Sequence, residues 1–163
     1  MIQRTFIEKE NSTPNFIGSW LMSPSICDDL VSYFEQHKSK HKQGITSSGQ
    51  NINIKDRIDI SLSPKEIKIS GNEIFEIYFE NLFECYKDYN LQWPFLKSFA
   101  SDLNIGNFNI GRYEKGQHFQ ATHCERTGLN TLHRLFAFMT YLNDVQEGGA
   151  TYFEHYDLEI KPK

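Results

Sequence analysis

The pattern of apolar residues along the chain changes near its middle, from helical spacing to strand-like alternation. Apolar side chains recur every three or four residues in two early segments, which predicts helices over Pro24–Lys38 and Asn72–Asn90. Ser23 is a suitable N-cap for the first helix, with proline at its first position. Trp93 and Pro94 end the second helix, because the residue before a proline avoids the helical conformation.

Strands are predicted mainly in the second half of the chain. Arg57–Leu62 is a predicted half-buried strand, because it alternates three apolar residues with the polar residues Arg57, Asp59 and Ser61. Phe16–Leu21 is an earlier strand candidate, and the polar stretch Gly44–Asn53 is a predicted loop. Further strands are predicted at Gly106–Tyr113, Arg134–Leu142, Ala150–Phe153 and Leu158–Ile160, with a tight turn at Gly148-Gly149. Helices followed by strands favour an α+β domain with helices packed on a sheet or barrel.

Size and composition are those of one globular domain with a substantial core. Hydrophobic residues make up 39% of the 163 residues and aromatic residues 14%, which argues against disorder. We expect residues 1–163 to form a single domain. The aromatic stripe of the second predicted helix is expected in its core rather than around a cofactor: Phe75, Tyr78, Phe79, Leu82, Phe83 and Tyr86.

Charge, cysteine content and hydropathy limit the partners and the location. The formal net charge is −4 and the pI is near 5.9, so the sequence lacks a broad basic face for nucleic acid. The three cysteines are widely spaced without a CxxC step, which indicates neither a zinc site nor a disulfide framework. No segment has the length or apolar character of a membrane span or a signal peptide. We therefore expect a cytoplasmic protein that binds neither nucleic acid nor membrane.

The candidate chemistry lies at His123-Cys124-Glu125. An H-x-[DE] step is a weak signal by itself, because a chain with six histidines and 21 acidic residues contains about one by chance, and a surface loop is the alternative interpretation. On a strand or at its end, residues two apart point to the same side. His123 and Glu125 would then reach one metal ion, while Cys124 points away. An imidazole and a carboxylate are two of the three ligands of the Fe(II) facial triad.

The order of motifs around this step resembles the prolyl 4-hydroxylase-like branch of the Fe(II)/2-oxoglutarate dioxygenases. That family shows a tyrosine about ten residues before an H-x-D step, then an arginine, a Y-L-N strand and a G-G-x-T-x-F step. The corresponding residues here are Tyr113, His123-Cys124-Glu125, Arg134, Tyr141-Leu142-Asn143 and Gly148–Phe153. The stretch FIGSWLMSPSICDDLVSYF also resembles the family's opening strand and helix.

The resemblance implies a fold, cofactors and roles for individual residues. The fold would have N-terminal helices packed on a double-stranded β-helix (jelly-roll) core. His123 and Glu125 would bind Fe(II), and Arg134 would be structural. Tyr113 and Tyr141 would line the 2-oxoglutarate pocket, whereas their alternative role is that of core aromatics with satisfied hydroxyls. The reaction would be hydroxylation of a C–H bond in a small molecule or peptide, with O₂ and 2-oxoglutarate consumed, succinate and CO₂ released, and ascorbate as a further cofactor.

Two departures from the family pattern bear on activity. Glu125 stands where the family usually has aspartate, and its extra methylene moves the carboxylate by about 1.5 Å, whereas ligand distances vary by only about ±0.2 Å. The family's second iron histidine, and the basic residue for the far carboxylate of 2-oxoglutarate, are expected beyond the last strand, so His118, His133 and His155 do not match. We therefore expect a C-terminally truncated domain that lacks its final strands, is inactive alone and is poorly soluble or oligomeric.

Two alternatives to the dioxygenase remain open. The first is a non-catalytic binding or structural module with the same jelly-roll fold, which Glu125 and the missing distal residues favour. The second is a demethylase acting on nucleobases, which the absence of a basic face disfavours. In either enzyme, substrate specificity would lie in loops such as Gly44–Asn53 and Arg126–Thr131.

Overall fold

A computed structural model of the chain describes residues 2–7, 15–99 and 103–163. Within these residues the helices are α1 (Pro24–Gln36), α2 (Glu73–Gln92) and α3 (Leu96–Phe99). The strands are β1 (Gln3–Thr5), β2 (Ser19–Leu21), β3 (Lys42–Gln43), β4 (Lys55–Asp56), β5 (Ile58–Leu62), β6 (Phe108–Arg112), β7 (His118–Phe119), β8 (Thr151–Phe153) and β9 (Leu158–Ile160). Single turns of 3₁₀ helix lie at Lys38–Lys40, Pro64–Glu66, Leu129–Thr131 and Glu154–Tyr156.

The strands form several small sheets. β1 pairs antiparallel with β2, β4 with β7, and β8 with β9, while β3, β5 and β6 form a three-stranded sheet with β5 in the centre. The predicted α+β class is confirmed by these helices and sheets. No closed barrel is present in the described part of the chain, and the jelly-roll core stays a prediction.

The chain divides into two compact units. One contains the residues up to His41 together with Ile60–Ile110, and the other contains Lys42–Asp59 together with Gly111–Lys163. Each unit is therefore assembled from two separate stretches of sequence. The expectation that residues 1–163 form a single domain stays a prediction.

In the first unit, α1 and α2 pack on each other around an aromatic core. Phe75 and Ile60 are almost completely buried, with 1% and 0% of their surface exposed. Phe75 meets the ring of Tyr33 edge-on at 4.8 Å and lies 5.4 Å from the ring of Phe108. Burial of one such side chain stabilises the fold by about 1.5–3 kcal/mol. The predicted aromatic stripe is confirmed in the first turns of α2, whereas Phe83 is 52% exposed.

A buried polar network joins the end of α1 to the start of α2. The hydroxyl of Tyr33 donates to Oδ1 of Asn72 at 2.9 Å and accepts from Nζ of Lys40 at 3.0 Å. The side-chain nitrogen Nδ2 of Asn72 donates in turn to the backbone carbonyl of Glu66 at 2.6 Å. Asn72 immediately precedes the first residue of α2, so these hydrogen bonds fix the backbone position where that helix begins. Buried polar atoms need such partners, because an unpaired one costs about 1–3 kcal/mol.

Most predicted strands are confirmed, and one is wrong. The strands β2, β5, β6, β8 and β9 lie in the segments that predict them. The predicted strand Arg134–Leu142 is not formed, and the described backbone there is irregular with several exposed apolar side chains, including Leu135 and Met139. An apolar run indicates burial but does not specify which segment a strand pairs with. The nearest strand along the chain, β8, pairs with β9 and not with this segment.

Two turns in the second unit use left-handed backbone. Gly148 and Gly149 have φ of 76° and 70°, which glycine adopts readily, and the backbone bends there, but the described residues 134–142 do not form the strand that the prediction placed before this bend. Asp157, between β8 and β9, has φ of 47°. Its Oδ1 accepts a hydrogen bond from the hydroxyl of Tyr152 at 2.8 Å, and this bond raises the pKa of the Tyr152 phenol. The hydrogen bond therefore helps to hold the hairpin turn.

Candidate functional site

The loop with the candidate ligands begins at the antiparallel pair of β4 and β7, in the second unit. Lys55 lies opposite Phe119, and the backbone N–H of Gln120 donates to the carbonyl of Ile54 at 3.0 Å. Beyond Gln120 the backbone is irregular, so the candidate ligands lie in a loop after a strand rather than on the strand. The pairing of β4 with β7 therefore fixes the position where the loop starts. The orientations of the side chains within the loop depend on the contacts that each of them makes.

The ring of His123 is oriented by two contacts within this loop. Nδ1 lies 2.8 Å from the carbonyl oxygen of Ala121, and because a carbonyl only accepts, Nδ1 carries the hydrogen. In the neutral ring, Nε2 is then the atom with the free lone pair. The ring of Phe119 lies 4.7 Å from that of His123 at an angle of 31°. This arrangement, a backbone acceptor on one nitrogen and a free second nitrogen, is typical of metal-binding histidines.

Glu125 faces His123 with one oxygen and Arg134 with the other. Its Oε1 lies 3.6 Å from Nε2 of His123, and its Oε2 accepts a hydrogen bond from Nη1 of Arg134 at 2.9 Å. All three side chains are about half exposed, so the ion pair between Glu125 and Arg134 stabilises the fold only slightly. The guanidinium of Arg134 thus contacts the Glu125 carboxylate, and the structural role of Arg134 stays a prediction.

The His123–Glu125 pair has the donor chemistry and spacing of a partial metal site. Two donors at about 2.1 Å from one ion lie about 3.0 Å apart in an octahedral site and about 3.4 Å apart in a tetrahedral one. The observed 3.6 Å needs only a shift of a few tenths of an ångström. Within residues 2–7, 15–99 and 103–163, no three His, Cys, Asp or Glu side chains converge on one point. The residues present thus fit two ligands of Fe(II).

The two candidate tyrosines occupy different surroundings in the second unit. Tyr141 is half-buried, and its hydroxyl donates to the carbonyl of Ile160 at 3.0 Å and lies 2.7 Å from Oγ1 of Thr151. Its hydroxyl is thus satisfied, as a core aromatic's would be. Tyr113 is 45% exposed, and its hydroxyl accepts a hydrogen bond from Nη1 of Arg57 at 3.2 Å. Their binding of 2-oxoglutarate stays a prediction.

A buried ionic cluster next to Tyr113 was missed by the sequence reasoning. Asp59 is 4% exposed, and its carboxylate lies 2.6 Å from Nε of Arg57 and 3.3 Å from Nζ of Lys55. Lys55 is itself only 7% exposed and also donates to the carbonyl of Ile45 at 3.0 Å. The alternation of Arg57–Leu62 predicts Asp59 on the polar side of a half-buried strand, yet its side chain is buried. The signal that was overlooked is the K-x-R-x-D spacing, which places two cations and one carboxylate on the same side of an extended chain.

The remaining sequence candidates contribute no further ligand to this pair. Nε2 of His118 lies 3.3 Å from the carbonyl of Asn53, His133 is exposed, and His155 lies in the 3₁₀ turn Glu154–Tyr156. Cys124 is exposed.

Comparisons of the chain with protein-family models, with curated proteins and with solved structures gave no match. The dioxygenase resemblance therefore rests on the motif order and stays a prediction. Among the described residues, no helix is both long and apolar enough to cross a bilayer.

Proposed function

We propose that this protein is an Fe(II)- and 2-oxoglutarate-dependent dioxygenase that hydroxylates a C–H bond of a small molecule or a peptide. The observation that carries the proposal is that Nε2 of His123 faces Oε1 of Glu125 at 3.6 Å. The order of motifs around this pair supports the same class of enzyme. A double-stranded β-helix fold and a cytoplasmic location are parts of this proposal, and the free thiols of all three cysteines are in keeping with that location.

Under this proposal, each residue of the pair has a defined task. Fe(II), when bound, supplies activation of O₂ coupled to the conversion of 2-oxoglutarate into succinate and CO₂. His123 offers the Nε2 lone pair, and its bond to the Ala121 carbonyl keeps the ring from turning. Arg134 holds Oε2 of Glu125, so that Oε1 remains directed at the metal position. The longer glutamate side chain serves here to reach both partners at once.

Metal binding by the chain tests the proposed ligands directly. We expect Mn(II), used as an air-stable probe and followed by its EPR signal, to bind the wild-type chain. His123→Ala and Glu125→Gln should each weaken that binding by about tenfold or more. The matched control is His118→Ala, which removes a histidine of strand β7, just before the loop, and should leave the affinity unchanged. Equal affinities for wild type and His123→Ala would refute the assignment of the ligands.

Turnover tests the chemistry. The protein expressed from its complete reading frame should form succinate when supplied with Fe(II), 2-oxoglutarate, ascorbate and O₂. His123→Ala should abolish succinate formation, because the ion loses a protein ligand. Undiminished turnover in that variant would end the dioxygenase proposal.

The second candidate function is a non-catalytic binding module with the same fold. The ion pair between Glu125 and Arg134 favours it, because that contact gives the carboxylate a structural partner without any metal. This alternative predicts no specific uptake of Fe(II) or Mn(II) in equilibrium dialysis. It further predicts that Glu125→Gln and Arg134→Gln have the same small effect on thermal stability, since each breaks the same pair.

A further inference from the structure

The acidic face of α2 is a row of exposed carboxylates on the side of that helix that points away from the core of the first unit. Its acidic residues recur every three or four positions: Glu73, Glu76, Glu80 and Glu84. Residues at this spacing are neighbours on a helix, so the carboxylates repel one another along the row. The row is about 17 Å long, because a helix rises about 1.5 Å per residue.

Nearby groups balance the two ends of this row more than its centre. Nζ of Lys87 lies 2.6 Å from Oε1 of Glu84. At the other end, both oxygens of Glu73 accept from the backbone N–H of Gly71 at 3.0 Å, and the positive end of the helix dipole acts within this first turn. In the described part of the chain, the two central carboxylates at positions 76 and 80 form no ion pair with a cation. The centre of the acidic face therefore favours the approach of positively charged groups.

Large apolar side chains are exposed beside the central carboxylates. Ile77 follows Glu76 directly and is 46% exposed, and Phe83 lies about one helical turn after Glu80 and is 52% exposed. Covering such side chains removes apolar surface from water, which favours association with a partner. Contiguous exposed apolar groups rimmed by charged residues are typical of protein interaction sites. The acidic face thus combines negative charge with apolar contact area.

A cavity of about 400 Å³ opens beside the first turns of α2. It is lined by two isoleucines, two carboxylates and two further polar side chains: Ile67, Ile69, Glu73, Glu76, Lys68 and Ser70. The carboxylates outnumber the single ammonium group of Lys68 there. A lysine or arginine side chain of a ligand matches this lining, because its stem packs on apolar groups while its charged head stays beside carboxylates. The cavity thus fits one long basic side chain at the start of the acidic face.

We propose that the acidic face of α2 is a docking surface for a basic amphipathic helix of a partner protein. A helix is the form whose side chains recur at the same 5.4 Å per turn as the carboxylates of α2. Its lysines or arginines pair with Glu76 and Glu80, one of them enters the cavity, and its apolar residues cover Ile77 and Phe83. The net charge of −4 attracts such a partner from a distance. The surface does not use the candidate metal ligands, so it goes beyond the proposed dioxygenase activity.

Fluorescence anisotropy of a labelled peptide made of two Lys-Leu-Ala-Lys-Lys-Leu-Ala repeats, about four helical turns long, tests the proposal on the full chain. We expect saturable binding that weakens at higher salt, because exposed charge pairs are screened. The double variant Glu76→Gln, Glu80→Gln should weaken binding by about three- to tenfold, and Ile77→Ala by about threefold. The matched control is Asp28→Asn, Asp29→Asn, which removes two exposed carboxylates from α1 of the same unit and should change the affinity by less than about twofold.

Charge reversal on both sides completes the test. A peptide with glutamate in place of every lysine should bind the wild-type chain at least about tenfold more weakly, and Glu76→Lys, Glu80→Lys should restore part of its binding. Three outcomes would overturn the docking surface: no saturable binding by the wild type, no loss in the double glutamine variant, and an equal loss in the α1 control, which would indicate attraction to net charge alone. Circular dichroism establishes that each variant is folded. His123→Ala should bind the basic peptide as the wild type does, so failure of the metal proposal is separately visible.

Discussion

Asp59→Asn should destabilise the chain strongly, although it removes only one charge and changes the side-chain volume little. The carboxylate is 4% exposed and is the shared partner of Arg57 at 2.6 Å and Lys55 at 3.3 Å. The substitution leaves two cations facing a neutral amide. Removal of one partner from a buried ion pair costs about 3–5 kcal/mol, because the remaining charge has been taken out of water without compensation.

Urea denaturation followed by circular dichroism measures this loss of free energy. For a chain of 163 residues, 1 kcal/mol corresponds to about 2–4 °C in Tm, so the expected decrease is roughly 6–20 °C. The matched control is Ser61→Ala on the exposed side of the same strand, which should change stability by no more than about 0.5 kcal/mol. The effect should persist in 0.5 M salt (roughly a 4–5 Å screening length), because buried pairs are only weakly screened.

A neutral replacement of the whole cluster completes this test. The triple variant Lys55→Met, Arg57→Met, Asp59→Leu should recover most of the lost stability, because apolar residues of similar volume often replace a buried ion pair without cost. The reasoning would be refuted if Asp59→Asn were as stable as Ser61→Ala, or if the triple variant were less stable than the single one.

Three further predictions concern the first unit and the thiols. Tyr33→Phe should lower the unfolding free energy by about 1–3 kcal/mol in urea denaturation, since it leaves a buried amide oxygen without its donor. The backbone N–H of Ser63 donates to Glu66 at 2.7 Å and lowers the pKa of the Glu66 carboxyl. The stabilisation from this hydrogen bond is then fully present above the pKa of about 4.3 that the carboxyl has in the unfolded chain, and it is lost as the pH falls through its lower pKa in the folded chain. Glu66→Gln should remove this pH dependence from a plot of unfolding free energy against pH. Burial raises the pKa of the Cys85 thiol, so mass spectrometry after iodoacetamide treatment should show exposed Cys124 alkylated long before Cys85; equal rates would contradict the burial.

The apolar periodicity predicted the parts of the fold that burial alone decides. Phe75 and Ile60 are in the core as expected, because an apolar side chain needs only a dry environment and no particular partner. The burial of Asp59 is not predictable from alternation, which tells which residues share a face but not what covers that face. The predicted strand Arg134–Leu142 is wrong because a strand depends on hydrogen bonds to another segment, and the residues of one segment do not identify its partner.

The proximity of the two candidate ligands could be predicted from the sequence, whereas the contacts that orient them could not. The H-x-E spacing indicated His123 and Glu125 as candidate ligands, and their side chains face each other. They do so from an irregular loop rather than from a strand, held by the Ala121 carbonyl and by Arg134. These contacts are set by local backbone geometry, which a spacing rule does not encode. Arg57 beside Tyr113 was not predicted, because the two residues are 56 positions apart in sequence.

The pairing of β4 with β7 also sets the order in which this chain acquires structure during synthesis. The contact between Asp56 and Gln117 across these strands spans 61 residues. Closing a loop of that length costs about 3.6 kcal/mol of chain entropy from the length-dependent part alone. At about 5–20 residues per second, β4 waits roughly 3–12 s on the ribosome for its partner to be made. The loop with His123 and Glu125 is therefore a late product of folding, and a nascent chain would leave β4 with an exposed edge during that interval.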